Sequence, residues 1–279
     1  MAITINSNSS ALAVNQLGLS QKNLASSLEK ISSGLSINKA ADDASGMSIA
    51  DSLLSQARGM GQALRNANDA ISMAQVADSA LGQSTALIQS IREKALQAAN
   101  ASQTTETRQA LQSDINKSLA QLDKIAQTTT YNGQQLLSGT FTGKEVQVGT
   151  NSGETIKLSI PSAETNKLGN STVGTLSDVN VLSQDSAQNA IKIADTALEQ
   201  INASRAGIGA TQNQLTSTIN NLATTGTNLL SASSTIGGVD LAEEAINFAT
   251  MKVLTEAQSF ALAQTKNMNK QNILSLLQG

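Results

Sequence analysis

The stretch Ala74-Gln75-Val76-Ala77-Asp78-Ser79-Ala80-Leu81-Gly82-Gln83-Ser84-Thr85-Ala86-Leu87-Ile88-Gln89-Ser90-Ile91-Arg92-Glu93-Lys94-Ala95-Leu96-Gln97-Ala98 decides the fold. Ala74, Ala77, Leu81, Ser84, Ile88, Ile91, Ala95 and Ala98 recur at alternating steps of three and four, the spacing of one helix face. The stripe is narrow and mostly Ala or Ser. Such a seam lets backbones approach closely and suits a long, slender bundle better than a broad globular core. The rhythm extends in both directions. Leu17, Leu24, Leu28, Ile31 and Leu35 precede it, and Leu111, Ile115, Ser118, Leu122 and Ile125 come after it. Ala194, Leu198, Ile201, Arg205, Ile208, Leu215, Ile219 and Leu222 make a fourth stripe, and Ile246, Ala249, Val253, Ala257, Phe260 and Gln264 a fifth. The fold class expected is mainly α: a long antiparallel helical bundle or coiled coil, with a small β-hairpin region in the middle of the chain.

Helix boundaries are written locally. Asp42 and Asp43 are placed to cap a helix starting near Ala44. Residues 100–105 are a polar break, and Asn132-Gly133 is a turn after the third helix. Gly237-Gly238 precedes Asp240 and Glu243, a D-x-x-E spacing that resembles a capping box. From Gly139 to about Val181 the composition shifts to Gly, Thr, Val and Asn. Val146 and Val148, then Ile156, Leu158 and Ile160, alternate with polar residues around Asn151-Ser152-Gly153. That pattern predicts a hairpin whose second strand ends at Pro161, with a weaker extended segment over 173–181.

Composition narrows the function classes. The 279 residues contain no cysteine, histidine or tryptophan. Disulfides, thiolate or imidazole metal sites, Cys nucleophiles and Ser-His-Asp triads are excluded. No other constellation of acid, base and nucleophile stands out, so no catalytic, cofactor-binding or metal site is assigned and an enzyme is not expected. Charged residues are 14% of the chain, against about 25% in typical domains. The 18 basic residues are scattered among 21 acidic ones, which argues against nucleic acid. No apolar run is long enough to insert in a membrane, and residues 1–19 lack the basic and apolar regions of a cleavable leader. Arg205, on an otherwise apolar stripe, is expected to meet a carboxylate within the bundle or at an interface. Neither the first 40 nor the last 40 residues can bury a stripe alone. They are expected to pair at most with each other, to be disordered in the free monomer, and to complete their core on neighbouring copies.

Several segments resemble bacterial flagellins. They are Ser33-Gly34-Leu35-Ser36-Ile37-Asn38-Lys39-Ala40-Ala41-Asp42-Asp43-Ala44-Ser45-Gly46, Asn66 to Gln75, Thr130-Tyr131-Asn132-Gly133 with Leu136-Leu137, Ser204 to Ala210 with Asn213-Gln214-Leu215, and Gln271 to Leu277. They cover essentially the whole chain in order. The resemblance implies a structural subunit that self-assembles into the helical flagellar filament for motility. Residues 1–45 and 238–279 would be the two parts of an inner coiled-coil domain. Residues 46–237 would be a helical outer layer with its β-hairpin region at about 139–181. The polymerisation residues implied are Leu17, Leu24, Leu28, Ile31, Leu35, Ile246, Val253, Phe260, Leu274, Leu276 and Leu277. Partners implied are many copies of the chain itself, hook-junction and cap proteins, an export chaperone and the flagellar type III export apparatus. The implied location is the extracellular flagellum, reached by secretion. The alternative within the same superfamily is a hook-filament junction protein. A secreted adhesin would need an exposed variable domain, and the middle is too short for one.

The resemblance also marks an outer-layer interface and possible contact for the host Toll-like receptor for flagellin: Ser90, Arg92, Glu93, Lys94, Gln97 and Asp114. Ser90 stands where relatives commonly carry arginine, Lys94 where they carry leucine, and Asp114 where they carry glutamate. Serine cannot replace a planar five-donor guanidinium, and a lysine in an apolar contact adds desolvation cost. Weak activation of that receptor is the expectation.

Overall fold

A computed structural model of the chain describes residues 2–277, with side chains described for 11–268, 270 and 271. The chain divides into two compact units, residues 56–227 and residues 1–55 with 228–279. Its elements are α1 (Ala2–Ser33), α2 (Ala44–Ala98), α3 (Thr105–Thr128), β1 (Thr130–Tyr131), β2 (Gln134–Gln135), β3 (Lys144–Gln147), β4 (Thr155–Leu158), β5 (Gly169–Asn170), β6 (Gly174–Thr175), a 3₁₀ turn (Leu176–Asp178), α4 (Gln184–Gly237) and α5 (Leu241–Leu277).

In the unit 56–227 the α2 stripe is the core. Leu81, Ile88, Ile91, Ala95 and Ala98 are buried in one cluster with Ile115, Leu119, Leu122 and Ala126 of α3 and Ala194, Ala197, Ile201 and Ile208 of α4. Ser84 sits in the stripe without penalty because its hydroxyl donates to the Ala80 carbonyl at 3.1 Å. α3 starts where the polar break ends, with the Thr104 hydroxyl accepting from the Thr107 amide. Two cross-bundle ion pairs link α2 to α4: Arg205 to Asp78 at 2.8 Å, and Arg92 to Asp195. The acid lies on α2 in one pair and on α4 in the other. A reversed pairing would therefore set like charges together, and a slipped one would separate both pairs.

The middle of the chain closes this core. Asn132 and Gly133 both take positive φ (48° and 76°) and join β1 to β2 in a two-residue turn. β3 and β4 pair with Val146 opposite Ile156. Their apolar face, with Val148, packs with Ala67 and Ala70 of α2 and Leu215 of α4. β4 stops at Leu158, before the expected Pro161. Ile160 then donates to the Phe141 carbonyl at 2.8 Å. The weaker extended segment resolves into the short β5–β6 pair and the 3₁₀ turn.

Irregular backbone beside a core needs partners, and the helices supply them as amide and carboxylate side chains. Gln112 accepts from the Val181 amide (2.7 Å) and donates to the Val179 carbonyl (3.1 Å). Gln200 accepts from and donates to Gly169 (2.9 and 2.8 Å). Asp123 accepts from both the amide and hydroxyl of Thr165 at 2.9 Å. Among the mid-helix glycines, Gly59 lies against another segment: a Cβ there would come within 2.8 Å of Thr150. Gly61, Gly207 and Gly209 face open space.

Burial outweighs the ion pairs in this unit. Ile88→Ala is expected to destabilise it by about 3 kcal/mol, from lost transfer energy plus a cavity. A double-mutant cycle on the half-exposed Asp78–Arg205 pair should give a coupling of about 0.5–1 kcal/mol. Urea unfolding of the parent chain, Ile88→Ala and the three variants of the cycle checks both values.

Candidate functional site

The other unit is built around a joint written into residues 33–46. α1 ends at Gly34, whose φ of +71° is a left-handed stop and whose amide donates to the Lys30 carbonyl at 2.9 Å. Leu35 then bridges antiparallel to Gly238. Ser36 donates to Gly237 at 2.8 Å, and Val239 to Gly34 at 3.2 Å. Gly238 has no room for a side chain, since a Cβ would meet the Ser234 carbonyl at 2.3 Å.

Two aspartates organise the turn between α1 and α2. Asp42 Oδ2 accepts from the amides of Asn38 and Lys39 at 3.0 and 2.9 Å. Asp43 Oδ1 accepts from the amides of Ser45 and Gly46 at 3.0 Å and from the Ser45 hydroxyl at 2.8 Å. These donors hold both carboxyls below the ordinary carboxylate range. Gly46 is needed because a Cβ would strike Asp43 at 2.5 Å. Across the joint, Asp240 Oδ1 accepts from the amides of Ala242 and Glu243 and opens α5.

From this joint α1 and α5 lie side by side. Along α1 the covered residues are Ala13, Leu17, Ser20, Leu24, Ser27 and Ile31; along α5 they are Glu244, Phe248, Met251, Thr255, Gln258 and Leu262. Both sets alternate steps of three and four, an antiparallel seam. It is thin. Among the described residues of this unit, no apolar side chain is fully buried. α1 and α5 are thus paired helices, and what pairs them is a half-buried seam without a core of its own.

The seam divides the expected polymerisation residues. Leu17, Leu24 and Ile31 lie in it. Leu28 and Leu35 are exposed, together with Leu12 and Leu19. On α5 the stripe read from the sequence is turned away from the seam: Ile246, Val253 and Phe260 are 68%, 65% and 74% exposed. α5 carries two apolar faces, and periodicity alone does not say which one meets α1. The seam face escaped notice because Glu244, Thr255 and Gln258 interrupt it, although Phe248, Met251 and Leu262 mark it at helical spacing. The side chains of Leu274, Leu276 and Leu277 lie outside the described residues.

The second set of expected residues is partly engaged within its own unit. Arg92 pairs with Asp195 of α4. Lys94 reaches Asp114 at 3.4 Å, and Lys117 reaches the same carboxylate at 3.2 Å. These hydrogen bonds, Lys117 first, hold the Asp114 carboxyl low. Glu93 and Gln97 are exposed beside exposed Leu96, and Ser90 is half-buried. Among the described residues no group of three or more acidic side chains is placed to hold a metal, and no helix is long and apolar enough to cross a membrane.

The sequence matches the bacterial flagellin N-terminal helical region over residues 5–142 and the bacterial flagellin C-terminal helical region over residues 191–277. The chain belongs to the bacterial flagellin family. This is a family of structural proteins, and full-length likeness agrees. The flagellar filament 31.3 kDa core protein of Treponema maltophilum is 35% identical over 98% of this chain and 99% of its own length. Flagellin B of Helicobacter pylori is 50% identical over half of this chain, which spans only 27% of that longer flagellin. A flagellar hook-associated protein of Vibrio parahaemolyticus shares the fold, with a TM-score of 0.58 at 15% identity over 70% of this chain and 99% of that one.

The joint in this flagellin should loosen in acid. A carboxyl whose folded pKa is lowered contributes stability above its ordinary value of 3.8 and loses it as pH falls through the folded value. Amide exchange at Asn38, Lys39, Ser45 and Gly46, corrected for intrinsic rates, should be protected at pH 6 and lose protection as pH falls below 3.8. In Asp42→Ala and Asp43→Ala that protection should already be reduced at pH 6.

Proposed function

We propose that this chain is a filament subunit whose copies join through the outward apolar faces of the α1–α5 pair. The observation that carries the reading is the combination on α5: a stripe of Ile246, Val253 and Phe260, about two-thirds exposed or more, on a helix pair that buries no apolar core of its own. Such a stripe is costly in water at about 25 cal/mol per Å² of apolar surface left wet, and repeated neighbours remove that cost. Residues 1–45 and 238–279 form the inner coiled-coil layer in this reading, and 46–237 the outer helical layer. The contacts are heterologous, each copy using one face on one neighbour and another face on the next, so they propagate as a helical polymer.

The likeness to full-length filament core proteins supports the same assignment. With it come secretion through the flagellar export apparatus with a chaperone, attachment to hook-junction proteins and growth beneath a cap, on the extracellular flagellum.

Seeded assembly followed by electron microscopy tests the reading. The parent chain should give long uniform tubes. Phe260→Ser with Val253→Ser should remove tubes at the same concentration while leaving the urea transition of residues 56–227 unchanged. Tubes of equal length and yield from the variant would overturn the interface, and a seeded parent chain that stays monomeric would overturn the filament.

The exposed Glu93, Leu96 and Gln97 beside Ser90 and Lys94 make a poor contact for the host Toll-like receptor for flagellin. Lys94 must leave Asp114 or carry its charge into the contact. In a reporter assay, Ser90→Arg with Lys94→Leu should lower the half-maximal concentration by at least tenfold. An unchanged response would remove those two positions from the account.

A further inference from the structure

Asn132-Gly133 is the only Asn-Gly pair in the chain. It forms the tip of the turn between β1 and β2, with both residues exposed and at positive φ. Among the described residues neither the Asn132 carboxamide nor the Gly133 amide has a hydrogen-bond partner. Gly133 has open space where a side chain would stand. The two Asn-Ser pairs with described side chains are held differently. Asn151 donates its carboxamide to Glu154 at 2.8 Å and its main-chain amide to the same carboxylate at 3.0 Å. Asn170 Oδ1 accepts from the amides of Thr172 and Val173 at 3.0 and 2.9 Å. The turn at 132–133 is also lightly tied. β1 and β2 form a sheet of their own with two residue pairs, so the tip opens locally at low cost.

We infer that Asn132 is a site of spontaneous modification, at which the folded chain converts asparagine to aspartate and isoaspartate. The Gly133 nitrogen, losing its proton to solvent base, bonds to Cγ of Asn132. The Cγ–Nδ2 bond breaks and ammonia leaves, closing a five-membered imide. Water then opens the ring. Attack at the side-chain carbonyl gives aspartate; attack at the main-chain carbonyl gives isoaspartate, in which the chain runs through the former side chain. Nothing is oxidised or reduced: one water is consumed and one ammonia released. Ring closure requires Asn132 to leave its left-handed geometry, and a following glycine hinders that swing least. Isoaspartate puts an extra carbon into the backbone of a two-residue turn, which then no longer matches the Thr130–Gln135 and Tyr131–Gln134 register. Just beyond β2 lie Leu136 and Leu137, both fully buried, with the Leu136 amide donating to the Thr129 carbonyl at 3.1 Å. Aspartate keeps the turn, since Asp-Gly suits the same geometry. The change does not reverse by itself. It accumulates with the age of the chain and loosens the corner where the middle of the chain closes over the core.

The chemistry does not depend on polymerisation, and the full-length chain tests it. The protein is held in warm buffer and sampled by peptide mapping, with Asn151 and Asn170 as internal controls. Asn132 should gain one mass unit at least tenfold faster than either control, and at least tenfold faster at pH 8 than at pH 6. Isoaspartate should be detected by methyl transfer from an isoaspartyl methyltransferase. Asn132→Gly, which suits the turn, should lose that signal. In the isoaspartyl fraction, amide exchange at Leu136 should quicken at least fivefold, and in Asn132→Asp it should stay within twofold of the parent. Conversion at Asn132 no faster than at the two controls would overturn the site. Conversion without quicker exchange at Leu136, or equal quickening in Asn132→Asp, would overturn the loosening by the extra backbone carbon.

Discussion

The narrowness of the helix seams is the constraint on which the rest depends. Alanine and serine at most stripe positions let α2 enter a cluster with α3 and α4, but they bury little area per residue. The unit 56–227 compensates by drawing the middle of the chain over its helices, so Leu136, Leu137, Phe141, Leu158, Ile160 and Leu176 enlarge one cluster. The other unit has no such cover. Its two helices have only each other, and their seam alternates leucine or isoleucine with alanine and serine on the α1 side. The same small-residue design thus gives a self-sufficient body in one place and an incomplete one in the other.

Much of this was legible in the sequence, and the reasons differ by element. The α2 stripe was readable because its apolar and polar faces separate cleanly, and burial follows it from Ala74 to Ala98. Asp43 and Asp240 were readable as caps because a short carboxylate ahead of a helix has one common use; Asp42, expected to share that role at α2, instead turns back to the amides of Asn38 and Lys39. Arg205 was readable as paired, though its partner Asp78 was not, since the register of α2 against α4 is a property of the whole bundle. The side-chain clamps made by Gln112, Asp123 and Gln200 left no mark, because a glutamine or aspartate in mid-helix reads like any solvated polar residue.

The faces of α5 were half legible for a specific reason. A helix that must meet its own partner on one side and a neighbour on the other carries apolar residues on both. Its pattern then contains two valid stripes. Reading α5 by its most apolar stripe selects the face left outside, because the face turned toward α1 is diluted by Glu244, Thr255 and Gln258. The family likeness identifies the kind of protein; it does not say which stripe of α5 faces α1, and exposure does.

The Leu35–Gly238 bridge has a kinetic consequence. The Ser36 hydroxyl and the Gly237 carbonyl it meets are 201 positions apart along the chain. Contacts between such distant residues form late, since the entropy of closing the loop comes before any reward. Whichever end of the chain emerges first into a folding environment, α1 must wait for α5 and α5 for α1. Nearly the whole chain has to be present before the joint can close, so a truncated product would lack the α1–α5 pair. Sequence separation works here as a length check on closure of the joint.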